Sequence, residues 1–380
     1  MDDLRGFLKR MDYLLILLPL VLSAVGIVMI DSITQNYASY PRQVIIQMAA
    51  VAIGFFLMIC AVAFDSRHFS QFYLFFYILS ILVQLTVFVP GLGVEIGGQQ
   101  AWINILGITT MQPSEVVKIT FAIAFAAWLD RYREMLFTIK GFLLAFAFAL
   151  PIVGLVGYID MGAGLILAFM FIGMVFAAGI RAGLFARLSG LFILLVPLSY
   201  RFLQDHQKSR FEAWLHPDRT DIPQTYQVMQ SKIAIGSGGL FGKGLGNGTI
   251  KESGYLPVQE SDFIFAIICE ELGFVGGMVV IALYAFMLTR IWRVVRNVKE
   301  YFDGLLVVGL MCMFAFQAFE NIGMTMGVMP VTGITLPFVS AGGSSVVANM
   351  IAVGLIIGVG ARSRVRTYKH INAESGPPHG

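Results

Sequence analysis

Charge is what this 380-residue chain has least of: 13% of its residues are charged and 57% are hydrophobic. Soluble domains carry nearer a quarter charged residues, so an ordinary soluble protein is excluded. Cysteine is also sparse. Cys60, Cys269 and Cys312 lie in apolar blocks rather than polar loops, which fits small packing residues and excludes a disulfide framework or a cysteine metal site. The five histidines, His68, His206, His216, His370 and His379, show no HExxH or paired-ligand spacing, and zinc is not expected. No GxSxG motif accompanies them.

A glycine run does occur between Gln230 and Gly248, but it is not a nucleotide loop. A P-loop needs Gly where Ser237 stands and Ser or Thr where Gly244 stands, and the dinucleotide fingerprint fails at Thr249. Neither nucleotide nor haem is expected as a cofactor, nor nucleic acid as a partner. Any catalysis therefore rests on carboxylates, lysines and arginines.

What the chain has in plenty is apolar runs of roughly 17 to 25 residues, each long enough to cross a bilayer core. No short alternating segments of a barrel accompany them. The fold class is an all-α polytopic membrane protein. Ten spans are expected, near 13–30, 43–64, 69–89, 114–129, 141–158, 163–180, 185–201, 263–288, 304–326 and 345–361. The first follows Arg5, Lys9 and Arg10 without a small-residue cleavage site, and reads as a retained span rather than a removed signal peptide.

Charge bias sets the orientation. With the N-terminus inside, the inner segments hold Arg5, Lys9, Arg10, Arg131, Arg133, Lys140, Arg290, Arg293, Arg296, Arg362, Arg364 and Arg366, whereas the short outer loops hold only Arg42. Both termini are then cytoplasmic. The long segment 202–262, between spans seven and eight, is external. Residues 1–366 form one membrane domain, and the polar tail 367–380 is expected to be disordered.

Within this frame the stretch Tyr255–Gly273 stands out. Asp262 lies at the mouth of the eighth span, where a carboxylate stays hydrated enough to ionise. It is either a helix N-cap, a catalytic group, or both. Glu270 and Glu271 follow about two turns deeper, where ionisable groups are costly and so functional or paired. Glu115 and Lys118 share one face at i, i+3 just inside the fourth span, as a buried structural pair or a polar cluster on a cavity. Glu320, inside the ninth span, has no partner nameable from sequence.

Three further stretches have mixed character. Residues 91–113 are glycine-rich and moderately apolar, with Trp102 suited to the headgroup level. The glycine run, with its free N–H groups and Lys232 and Lys243, is either a pyrophosphate cradle or a flexible surface loop. Residues 329–345, with Pro330, Pro337 and several hydroxyls, suggest backbone bent at membrane depth, which must line a cavity or be buried in protein.

Taken in order, Pro113-Ser114-Glu115…Lys118, Asp160-Met161-Gly162, Tyr226-Gln227…Gln230-Ser231-Lys232-Ile233-Ala234-Ile235-Gly236-Ser237-Gly238-Gly239, Leu256-Pro257…Asp262-Phe263-Ile264-Phe265-Ala266…Glu270-Glu271-Leu272-Gly273 and Asn321-Ile322-Gly323…Pro330-Val331-Thr332-Gly333…Leu336-Pro337-Phe338…Ser340…Gly342-Gly343-Ser344 resemble the SEDS (shape, elongation, division, sporulation) family. The likeness runs from the first span to the last, and the QSKIAIGSGGLFGKG run is most like the elongation, RodA-type branch rather than the FtsW-type division branch. It implies a ten-span peptidoglycan glycosyltransferase of the bacterial cytoplasmic membrane, polymerising lipid II on the outer face. An inverting transfer joins a sugar 4-hydroxyl to the anomeric carbon of the donor and releases undecaprenyl pyrophosphate.

The resemblance marks the acid at Asp262 as required, puts the Glu115–Lys118 pair in the same cavity, and makes spans eight and nine the docking site for a class B penicillin-binding protein. Chemistry agrees: the hydroxyl needs a base or a divalent cation (Mg²⁺ or Mn²⁺), and Asp262 is the candidate for either role. The pyrophosphate needs positive charge, available from Lys118, Arg210, Lys232 and Lys243, with Arg210 preferred because its fork suits phosphate oxygens. Trp102 and Ser340 lie in stretches that would wall the groove for the lipid. The chain departs from the family pattern at Ala101, Ala341 and Ile159. A lipid flippase or transporter, drawing on the intramembrane Glu115, Lys118, Glu270 and Glu320, and a non-catalytic scaffold for the penicillin-binding protein are the competing readings.

Overall fold

The computed structural model describes residues 11–35, 41–96, 99–105, 109–180, 203–219, 221–249 and 259–374, with isolated positions between 183 and 200. Twelve α-helices are named here: α1 Tyr13–Thr34, α2 Arg42–Ala63, α3 Ser66–Gln71, α4 Tyr73–Leu85, α5 Pro113–Arg131, α6 Ile139–Ile159, α7 Met161–Ala177, α8 Asp205–Leu215, α9 Pro223–Ser237, α10 Ile264–Asn297, α11 Tyr301–Thr325 and α12 Gly343–Glu374. By length and composition, α1, α2, α6, α10, α11 and the Gly343–Ser363 part of α12 can each cross a membrane, and Tyr73–Phe88 and α7 are shorter apolar helices. The expected seventh span, 185–201, lies almost wholly outside the described residues. Of the tail 367–380, the helix takes in residues to Glu374.

Lipid-facing and protein-facing helices differ as the bilayer requires. Helices α2 and α4 expose Ile45, Met48, Ile53, Phe56, Phe75, Ile78 and Leu82, the apolar surface that hydrocarbon accepts. Helix α5 instead is buried along nearly its whole length. That position explains how it can carry Glu115 and Lys118, since a helix surrounded by protein can partner charges that lipid would not. Proline at its first turn, where its missing N–H is no loss, starts it sharply. Helices α2 and α12 pack closely at Gly354 and Gly358, where a Cβ would meet the Met58 and Val62 carbonyls at 2.4 and 2.9 Å. The GxxxG spacing there is indeed helix packing.

Two stretches depart from an all-helical reading. Residues 91–113 hold a three-stranded antiparallel sheet of β1 Gly93–Ile96, β2 Gln99–Ile105 and β3 Thr109–Met111, pairing Val94 with Trp102 and Ile103 with Met111. The strands are only four, seven and three residues long and lie among glycines that read as loop, which masked them. Residues 329–342 form no regular element, yet Val331, Thr332, Ile334, Leu336, Phe338 and Val339 are buried. Backbone bent inside protein is what the sequence led one to expect there.

Helix α10 is interrupted at Gly273, whose φ of 71° and ψ of −169° break the helical ladder. The glycine loop after α9 takes up the freed groups: Lys243 N and Gly244 N donate to the Glu270 and Glu271 carbonyls at 3.0 Å, and Phe274 N donates to Gly239 O at 2.9 Å. A Cβ at Gly273 would sit 2.3 Å from Gly242 N, so only glycine permits both the kink and the docked loop.

Candidate active site

The turn before α10 carries Asp262. Its Oδ1 accepts from the Ser261 hydroxyl at 2.8 Å, and its main-chain carbonyl accepts from Asn321 Nδ2 at 2.9 Å. It does not cap α10. The N-cap is Phe263, and no side chain bonds the free N–H groups there. The half-buried carboxyl is held above the ordinary carboxylate range by loss of water, with Asp160 and Glu260 adding repulsion. The Ser261 hydrogen bond and the Arg210 charge pull the other way.

Arg210 arrives from α8. That helix is tied to the end of α6 by Gln204 Nε2 and Gln207 Nε2, which donate to the Tyr158 and Gly157 carbonyls at 3.3 Å. Arg210 Nη1 then donates to Thr332 O at 2.6 Å. The next residue, Gly333, has φ +76°, and a Cβ built on it would lie 3.4 Å from Asp262 Oδ2 and 3.7 Å from Arg210 Nη1. Both side chains thus crowd over one glycine, and the arginine stands beside the acid.

Asp160 closes the third side. Its Oδ1 accepts from Ala163 N at 3.2 Å, capping α7, and its Oδ2 accepts from Gln112 Nε2 at 2.6 Å. Burial pushes this acid up as well, while the Ala163 bond, Arg210 and Lys118 favour its charge. Lys118 in turn bonds Glu115, Nζ to Oε2 at 2.8 Å, with both side chains buried. The charges of Lys118 and Glu115 thus act on Asp160, as those of Asp160 and Arg210 act on Asp262. Trp102, half-buried on β2, packs with Val87, Ala101 and Ile159, so the sheet rests on the end of α6 next to Asp160.

Other expected groups play different parts. Ser340 is a structural tie: its hydroxyl donates to Ser261 O at 2.5 Å and accepts from Leu336 N at 2.8 Å, and Ala341 N donates to Glu260 O at 2.8 Å. These bonds clamp the bent segment to the Asp262 turn. Lys243 bonds Glu270 Oε1 at 2.6 Å and Thr249 Oγ1 at 2.8 Å. Glu271 accepts from the Ser32 hydroxyl at 2.8 Å. The glycine loop is therefore docked on α10, whose kink takes the Lys243 and Gly244 N–H groups. Lys232 is exposed on α9 with its side chain across Gly327, and it is not among the charges acting on Asp262.

The residue-level reading gave no role to Asp160, Gln112, Thr332 or Asn321. Asn321, fully buried in an apolar helix, was itself the available signal, since such a polar group must find partners. Its Nδ2 holds both Asp262 O and Ile334 O, the latter at 2.8 Å. Among the described residues, no group of three or more His, Cys, Asp or Glu side chains gathers into a metal cage. A hard cation bound through one carboxylate plus substrate oxygens needs no such cage, and Asp262 Oδ2, which makes no hydrogen bond among the described residues, suits it.

Fold and site together define a multi-pass helical membrane protein with an acid–arginine centre between helix ends and a bent, buried segment. The chain belongs to the FtsW/RodA/SpoVE family of cell cycle proteins, whose model matches residues 11–365. Stage V sporulation protein E of Bacillus subtilis (strain 168) is 33% identical over 372 residues, 93% of this chain and 98% of that protein. The "Probable peptidoglycan glycosyltransferase FtsW" of Saccharophagus degradans is 34% identical over 372 residues, covering 93% and 92%. Among solved structures, Thermus thermophilus rod shape determining protein RodA superposes with a TM-score of 0.68 at 28% identity, covering 93% and 97%. A chain from work on polymerization and crosslinking by a peptidoglycan synthase complex gives 0.77 at 30%, covering 93% and 98%. All three branches match at similar identity.

Proposed function

We propose that this protein polymerises lipid II into glycan strands on the outer face of the cytoplasmic membrane of a bacterium, during elongation and shape maintenance. It is a peptidoglycan glycosyltransferase, as its family and relatives are. The observation that carries the chemistry is the juxtaposition of Asp262 and Arg210 over Gly333. In the proposed step Asp262 takes the proton of the acceptor 4-hydroxyl. The oxygen then bonds to the donor's anomeric carbon from the face opposite the leaving group, and the carbon–pyrophosphate bond breaks. The electron pair departs on undecaprenyl pyrophosphate.

Arg210 is suited to receive that charge. Its Nη1 is committed to Thr332 O, while its other donors make no hydrogen bond among the described residues. Lys118 and Lys243 already hold buried glutamates, which leaves them less able to serve a ligand. Asp262 is also the residue that would hold Mg²⁺ or Mn²⁺ together with the pyrophosphate; bound there, the ion neutralises phosphate charge. The partner fitting this reading is a class B penicillin-binding protein, its membrane helix docked on α10 and α11. The exposed Phe274, Val275, Met278 and Val279 on α10 and Phe319 on α11 supply apolar surface for it. Elongation rather than division rests on the QSKIAIGSGGLFGKG run.

The test is lipid II polymerisation in detergent by the wild type and Asp262→Asn, alone and with a penicillin-binding partner whose cross-linking serine is disabled. Strands from the wild type and none from a folded variant support the reading. Equal strands from both would move the base elsewhere. No strands from either, even with the partner, would favour a transporter or scaffold.

A further inference from the structure

Glu320 is the acid in the ninth span that sequence left without a partner. It is fully buried on α11. An ionisable group at that depth is expensive unless something depends on it. Its partner is the Thr332 hydroxyl, which donates to Glu320 Oε1. Thr332 is the same residue whose main-chain carbonyl seats Arg210 at 2.6 Å. The adjacent Gly333 is the position over which Arg210 and Asp262 meet. The neighbour of Glu320 on α11, Asn321, bonds the Asp262 and Ile334 carbonyls at 2.9 and 2.8 Å.

Two consecutive side chains of one helix thus hold both halves of the centre. Asn321 grips the acid's turn and residue 334, and Glu320 grips residue 332 between them. Segment 331–335 has no ladder of its own to fix it. Without the side-chain anchor at 332, the nearest side-chain tie on the segment is at Ile334, and the 332 carbonyl that seats Arg210 loses its direct restraint. The electrostatic surroundings agree with this placement: Glu320 lies within reach of the charges of Arg210, Asp262 and Asp160.

From this geometry we propose that Glu320 is a positioning residue for the transfer reaction, acting through the Thr332 hydroxyl to fix the carbonyl that seats Arg210 beside Asp262. The inference rests on the reading of Arg210 and Asp262 as the reacting pair, and it assigns Glu320 no contact with substrate. A buried acid on a transport pathway would be used differently. It would have to exchange its proton or ion with water, and Thr332 would then be incidental.

The experiment compares Thr332→Val, Thr332→Ser, Glu320→Met and the Thr332→Val/Glu320→Met pair in lipid II polymerisation, with folding followed by melting in detergent. Misplacing a reacting group by about 1 Å costs on the order of 10²-fold. Thr332→Val and Glu320→Met are each expected to lower kcat by about that factor, with KM for lipid II little changed. Thr332→Ser, which keeps the hydroxyl, is expected to restore turnover, and the pair is expected to lose no more than either single change. A Thr332→Val protein that turns over normally, or a pair whose losses multiply, overturns the proposal.

A second readout needs no substrate. Melting shifts of Thr332→Val and Arg210→Gln are expected to be non-additive, because the first change has already loosened the arginine's seat. Additive shifts sink the positioning role. Should the wild type make no strands at all, the glycosyltransferase reading fails, while this cycle and the same cycle with Glu320→Met in place of Thr332→Val still decide whether Thr332 and Glu320 hold Arg210.

Discussion

Asn321 donates from one amide nitrogen to the main-chain carbonyls of Asp262, at 2.9 Å, and Ile334, at 2.8 Å. A helix buried in the bundle therefore fixes the height of the acid and the path of the bent segment together. Replacing it with Leu leaves two carbonyls without their donor, at about 1–3 kcal/mol each. Asn321→Leu is expected to lower the melting temperature in detergent and to depress polymerisation beyond what the lost stability explains. An unchanged rate in the folded variant would show that the turn holds itself.

The pH dependence follows from the environment of Asp262. Burial raises its pKa and Arg210 lowers it. As a base the group must be ionised, so activity is present above its raised pKa and lost as pH falls through it. Arg210→Gln removes a charge that favours the carboxylate, and the acid limb should move to higher pH. The pH–rate profile of the surviving activity checks this. A limb that moves to lower pH would mean that another group titrates.

The Lys118–Glu115 pair is buried on both sides, with Nζ–Oε2 of 2.8 Å. Removing one partner strands the other charge, typically at about 3–5 kcal/mol, whereas replacing both with apolar residues is far milder. Lys118→Met should destabilise strongly, and Lys118→Met with Glu115→Leu should recover much of the melting temperature. If the recovered double variant still polymerises lipid II, the pair is a structural support for Asp160 rather than part of the reaction.

Lys243 holds Glu270 at 2.6 Å where the glycine loop meets the kink of α10. Its ammonium is partly exposed, so Lys243→Ala is expected to cost less than a fully buried break, about 1–3 kcal/mol. The loss should appear in thermal unfolding, with KM for lipid II unchanged in the folded fraction. A selective rise in KM would return Lys243 to the substrate site.

Sequence alone determined that the chain is a multi-pass helical membrane protein, because long apolar runs admit few other structures in lipid. It also singled out Asp262 and the Glu115–Lys118 pair, since ionisable groups are conspicuous in or at the mouth of such runs, and Arg210 by the fit of its fork to phosphate oxygens. The pairing of Lys243 with Glu270 is not legible in sequence, for a physical reason. A lysine in a glycine loop looks available, and nothing local reveals that the kink at Gly273, over twenty residues on, will claim both the loop and its charge. The sheet around Trp102 is not legible in sequence because its strands are only four, seven and three residues long and lie among glycines that read as loop. Only the tertiary structure decided that Thr332, from the bent segment, seats Arg210 beside Asp262, and that Asp160, from the junction of α6 and α7, acts on both through its charge. These residues lie fifty or more positions apart, and sequence spacing carries no information at that range.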